Sequence, residues 1–130
     1  MYDVIVVGAR CAGSPTAMLL ARMGYRVLLV DRAAFPSDTI STHYVRLPGA
    51  RALHRWGLLD DVLATGCPPV LGRTMHREGE PPLLGDAPPT PDIPGEVGPR
   101  RTVLDQLLVD AAVRAGVELR ERVVLSLIHI

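Results

Sequence analysis

The first thirty-one residues constrain this chain more than any other part of it. Val4-Ile-Val-Val7 is an unbroken apolar, β-branched run, followed directly by Gly8-Ala-Arg-Cys-Ala-Gly13. Ser14–Arg22 carries Ala17, Met18, Leu19 and Leu20 and leads to Gly24, a second apolar run over Arg26–Val30, and Asp31. A short continuous apolar run reads as a strand buried on both faces, as parallel strands are. The order strand, glycine turn, helix, strand predicts an α/β fold: a Rossmann-like βαβ start of a doubly wound parallel sheet that binds FAD or NAD(P).

Each position has a physical task. Gly8 is expected to turn the chain out of the first strand, where a Cβ would clash. Gly13 and Ala17 are expected to let the helix pack close to the strands. Pro15 is tolerated because the first helical N–H groups lack internal partners, and Gly24 is placed to cap the helix. The helix N-terminus offers N–H groups and a positive dipole end to a pyrophosphate. Asp31, about twenty residues after Gly8, falls where such units keep the acid that holds a ribose. One position departs from the G-x-G-x-x-G pattern, since its middle glycine is Arg10. Its guanidinium either points away from the turn or pairs with a phosphate, and both readings stay open. Cys11, at a helix start, is either a thiol of lowered pKa or a small packing residue beneath the turn; packing is the expectation.

Charge is balanced, with fourteen basic and fourteen acidic residues, so no electrostatic footprint for nucleic acid exists. Lysine is absent, which removes Schiff-base chemistry from this segment. No stretch is long and apolar enough to span a bilayer, and no signal peptide is expected before the first strand. Cys11 and Cys67 have no metal or redox spacing. A cytoplasmic setting and no metal site are therefore expected.

Arg32–His43 reads as a loop. Arg46–Gly66 reads as two short helices around Gly57, with Leu47, Leu53, Trp56, Leu58, Leu59, Val62 and Leu63 as core candidates. Cys67–Pro99 holds nine of the twelve prolines and reads either as short edge strands with turns or as a poorly ordered insertion. Arg101–Ala115 is helical in spacing, with Val103, Leu104, Leu107, Leu108, Ala111 and Ala112 on the apolar side. Thr102 and Asp105 make a capping-box-like start. Val117–Leu125 alternates like a third strand. His54 and His76 have no ligand spacing.

Four stretches, Asp3–Gly13 with Asp31-Arg32, Phe35–His43, Gly49–Asp61 and Arg101–Asp105, give the chain a family resemblance. From Tyr2 to about Val124 it resembles the start of the FAD-dependent oxidoreductases: the p-hydroxybenzoate hydroxylase type of monooxygenase and the related geranylgeranyl reductases and halogenases. The resemblance implies that Gly8, Ala9, Arg10, Cys11, Ala12 and Gly13 surround the pyrophosphate of FAD and that Asp31 holds the adenosine ribose. It places Ser41 and Thr42 on a loop beside the flavin and Arg101 in contact with FAD. Arg32 and Val123 complete the expected cofactor-binding set. His43 is the one candidate for proton transfer. The implied activity is that of a monooxygenase using NAD(P)H and O₂ on a small organic substrate. A flavin-dependent isoprenoid reductase or a halogenase shares this N-terminal half. An NAD-binding module without flavin and an inactive truncated fragment are the alternatives from other classes.

The expected organisation is an N-terminal part of an FAD-binding domain over 1–124, with 67–99 a proline-rich insertion that begins a substrate domain. Leu125–Ile130 matches the translation of a transposon-end adapter used in sequencing libraries, so 125–130 is expected to be a non-native tail in which His129 has no role. The piece alone is expected to be inactive.

Overall fold

A computed structural model of the chain describes residues 1–86 and 89–126. It divides into two compact units, one built from residues 1–40 and the segment from Arg101 on, the other from residues 41–100.

The first unit contains the expected βαβ start. Strand β1 (Val4–Val7) leads to helix α1 (Gly13–Arg22) and strand β2 (Val27–Val30). The chain returns to the same sheet after its last helix with a strand over Glu118–Arg120. These three strands are parallel, with β2 in the middle; Val4 lies opposite Val27, and Leu28 opposite Glu118. That last helix, Arg101–Arg114, packs against α1. Leu104, Leu108, Ala111 and Ala112, at helical spacing, are buried, and Val109 joins them. Ala17 and Met18 of α1 and Leu29 of β2 are fully enclosed. Asp3 accepts the Arg26 backbone N–H at 2.8 Å and pairs with its guanidinium, which holds the Asp3 carboxyl at about 2 and fastens the starts of β1 and β2 together.

Two glycines of the turn act for different reasons. Gly8 has φ +98°, a left-handed conformation, but the space where its Cβ would stand is open, so its requirement is torsional and not the expected clash. The close approach is at Gly13, where an added Cβ would lie 1.6 Å from the Gly8 carbonyl oxygen. After α1 the chain closes on Gly24, φ +93°, whose N–H meets the Ala21 carbonyl at 2.9 Å while the Tyr25 N–H reaches Leu20 at 3.2 Å.

Three expectations are corrected. Strand β1 is not buried on both faces: Ile5 and Val7 are 61% and 56% exposed, because β1 is an edge of the described sheet and that face has no covering element. The third strand ends at Arg120, not Leu125, because the chain turns at Arg122, φ +58°, and the Val123 N–H bonds the Asp31 carbonyl at 2.9 Å. Val103 of the last helix is exposed and Leu107 half-buried, since the helix rests on the face centred on Leu104, Leu108 and Ala112.

The second unit begins with α2 (Leu47–Trp56) and α3 (Leu59–Ala64), separated at Gly57, φ +75°. Leu53, Leu58, Leu59 and Val62 are buried as expected; Leu47, Trp56 and Leu63 are only half-buried. The proline-rich stretch takes the first of its two readings. It forms β3 (Pro69–Val70), β4 (Gly72–Met75), β5 (Leu83–Asp86) and β6 (Glu96–Val97), paired antiparallel as β3 with β6 and β4 with β5. The first-unit helix over Arg101–Arg114 is α4 and the strand over Glu118–Arg120 is β7. Among the described residues no helix is long and apolar enough to cross a membrane.

Gly13→Val is expected to destabilise the protein beyond the roughly 1–3 kcal/mol of ordinary overpacking, because its Cβ meets a backbone carbonyl that flexible side chains cannot yield for. Denaturant unfolding measures this, and a midpoint equal to wild type would contradict it.

Candidate functional site

The turn between β1 and α1 is closed by the acid at the end of β2. Parallel pairing carries β1 and β2 forward together, so Gly8 and Asp31 leave the sheet side by side; the Gly8 N–H donates to the Val30 carbonyl at 2.7 Å. Asp31 is 8% exposed. Its Oδ2 accepts the Ala9 N–H at 2.6 Å and its Oδ1 accepts the Ala33 N–H at 2.8 Å. A carboxylate has about four acceptor sites, so each oxygen keeps capacity for a further donor. The Ser14 hydroxyl, buried at the start of α1, donates to the Ala9 carbonyl at 2.8 Å and fixes the turn from its other side.

A cavity of about 500 Å³ opens at this place, lined by Gly8, Arg10, Ala12, Gly13, Asp31 and Arg32. Val7, Val123, Val124 and Leu125 form the rest of its wall. The structure thus brings seven of the expected cofactor-binding residues to one cavity. Leu125 belongs to the hexapeptide expected to be a non-native tail; residues 127–130 of that hexapeptide, His129 included, lie outside the described residues.

Arg10 extends from the turn toward α4 and the loop over residues 35–38. Its Nη1 pairs with Asp105 Oδ2 at 2.6 Å and donates to the Ser37 carbonyl at 3.2 Å. Its Nη2 donates to Ser37 Oγ at 3.1 Å and the Asp38 carbonyl at 3.3 Å, and the guanidinium stands 5.4 Å from the Phe35 ring centroid. Asp105 is fully buried and also receives a bidentate pair from Arg101, Nε to Oδ1 and Nη2 to Oδ2, both 3.0 Å. Asp105 therefore joins Arg10 to Arg101 and is not the capping-box acid expected from its spacing to Thr102. The Cys11 thiol donates to Asp105 Oδ1 at 3.3 Å. Burial of the sulfur, then the Asp105 carboxylate, pushes the Cys11 thiol up to about 11, which removes the lowered-pKa reading even though the residue as a whole is exposed.

Ser41, Thr42 and His43 belong to the second unit. The Ser41 hydroxyl oxygen accepts the His43 N–H at 3.2 Å, and His43 has φ +51°. His43 Nδ1 is enclosed without a hydrogen-bond partner among the described residues. The segment is anchored by Glu96, which the sequence did not single out. Glu96 is 3% exposed, bonds the Tyr44 hydroxyl, and accepts the Leu47 N–H at 3.0 Å, serving the start of α2 from β6. His54 and His76 are exposed. No group of three or more metal-ligating side chains occurs among the described residues.

In a Cys67→Ser background, Cys11 is expected to alkylate with a pH profile rising toward about 11. At pH 8 it would carry on the order of a hundredfold less thiolate than an unperturbed cysteine. A profile that levels off below pH 8.5 would contradict the Asp105 contact.

Comparison with known proteins agrees with this geometry. A family model described as an FAD binding domain matches residues 1–128. The squalene monooxygenase of Candida glabrata is 34% identical over 117 residues, covering 86% of this chain and 23% of that protein. Aklavinone 12-hydroxylase of Streptomyces peucetius is 33% identical over 134 residues, covering 91% of this chain and 27% of that protein. The structure of a myxobacterial FAD-dependent chondrochloren halogenase superposes with a TM-score of 0.77 at 34% identity, over 93% of this chain and 28% of that one. The chain thus spans about a quarter of the length of these two curated relatives. With its parallel sheet and glycine turn, it belongs to the FAD binding domain family of flavoproteins.

Proposed function

We propose that this chain is the ADP-binding part of a cytoplasmic flavin-dependent monooxygenase that draws electrons from NAD(P)H and uses O₂ to oxygenate a small organic substrate. One observation carries the assignment of the site: Asp31 closes the glycine turn through Ala9 while standing in the wall of the cavity that the turn opens. The relatives named squalene monooxygenase and aklavinone 12-hydroxylase support the reaction class. FAD, when bound, supplies the redox and oxygen chemistry.

The residues of this chain bind and orient. The N-terminus of α1, with its positive dipole end, receives the pyrophosphate. Gly13 permits that end to approach, since any side chain there would strike the Gly8 carbonyl. Asp31 holds the ribose hydroxyls with its remaining acceptor capacity, and Arg32 and Val123 border the same space. Arg101, fixed by Asp105, and the Ser41–Thr42 loop are assigned to the flavin-proximal half. His43 is assigned a proton-transfer role on the basis of its enclosed, unpartnered Nδ1. In this reading 1–124 belongs to the FAD-binding domain, 67–99 begins the substrate domain, and 125–130 is a tail of foreign origin.

A halogenase is the second reading, supported by the likeness to the chondrochloren halogenase. Halide-dependent product formation in the intact protein, against oxygenated product without halide, separates the two.

Asp31→Ala is expected to weaken FAD binding at least about tenfold, since a hydrogen bond to a charged group is worth roughly 1.5–3 kcal/mol. FMN, which lacks the adenosine ribose, should bind wild type and variant alike. Fluorescence titration of the intact protein with both flavins checks this. Unchanged FAD affinity, or an equal loss for FMN, would remove Asp31 from the ribose site.

A further inference from the structure

The pairing of Arg10 with Asp105, inside the Arg10–Asp105–Arg101 cluster, is the part of the first unit to which the ADP-site reading gives no role. Two guanidiniums share one fully buried carboxylate, with side chains 26% and 15% exposed. Arg10 stands where the fingerprint has its second glycine, the position that lets backbone approach the pyrophosphate. A long side chain there obstructs the site unless it is drawn aside. Arg10 is drawn aside by a complete set of partners: Asp105, both groups of Ser37, the Asp38 carbonyl and the Phe35 face. Of these, Asp105 alone supplies a buried counter-charge.

We propose that Asp105 is a positioning residue of the FAD site: it seats Arg10 clear of the pyrophosphate path, replacing the missing glycine by a tethered side chain, and in the same carboxylate orients Arg101. The inference rests on reading the glycine turn as the pyrophosphate site. It makes the unusual residue at position 10 and the buried acid of α4 a matched pair, each tolerated because of the other.

The test is FAD titration of the intact protein for Asp105→Asn, Arg10→Gly and their combination, with Asp31→Ala as control. Asp105→Asn releases Arg10 and should weaken FAD binding about tenfold or more. Arg10→Gly restores the fingerprint and should stay within about threefold of wild type. The double variant should regain most of the affinity lost in Asp105→Asn, a rescue that a merely structural role for Asp105 would not give. If Asp105→Asn fails to fold, Arg10→Gln serves, because Asp105 keeps Arg101: an unseated neutral side chain at position 10 should bind FAD about tenfold more weakly than glycine there. Abolished binding in Arg10→Gly would make Arg10 a phosphate ligand and overturn the proposal. So would tighter binding in Asp105→Asn, which would mean that the carboxylate only opposes the phosphates. If Asp31→Ala and Asp105→Asn both bind like wild type, the site reading itself fails; if only Asp105→Asn does, this proposal fails alone.

Discussion

The close approach of α1 to the end of β1 is the constraint on which the first unit depends. With a Cβ at position 13 excluded by the Gly8 carbonyl, the helix can start almost on top of the strand. That start brings the backbone of residues 9–13 to the carboxylate at the end of β2, and the Ala9-to-Asp31 hydrogen bond locks the two strand ends together. From this contact follow the parallel register of β1 and β2, the packing of α1 on α4, and the cavity bordered by the turn. A buried carboxylate would be costly without partners. Asp31 has two backbone donors, and Asp105 has two guanidiniums and a thiol.

Those two acids divide the work. Asp31 orders backbone, and its side chain faces the cavity. Asp105 orders side chains and lies wholly inside. The surrounding residues show the consequence. Cys11, which a helix start alone would activate, is instead held as an un-ionised thiol by burial and by Asp105. Arg10, a breach of the fingerprint, becomes a strap between the turn, the 35–38 loop and α4.

The sequence made legible what depends on neighbours in the chain. The βαβ order, Gly24 as a helix stop, Gly57 between two helices and the spacing of Gly8 to Asp31 all rest on local conformation. Contacts over long separations were not legible. Arg101 and Asp105 are one helical turn apart, a spacing that favours an ion pair, but the third member, Arg10, is more than ninety residues away. Glu96 is one of five acids in a proline-rich stretch, with no spacing to link it to Tyr44 or Leu47. A glycine in the sequence also does not say whether torsion or space demands it; Gly8 and Gly13 proved to be one of each. The exposure of Ile5 and Val7 depends on what covers β1, which the apolar run itself cannot reveal.

In the proposed reading the glycine turn and Asp31 hold the ADP half of FAD. Amide hydrogen exchange of the intact protein, read by mass spectrometry with and without FAD, tests it most directly. Slowed exchange is expected in peptides covering residues 8–14 and 31–33 when FAD is present, with no comparable change in α3 or the β4–β5 hairpin. Saturation with FAD that leaves residues 8–14 unprotected would contradict it.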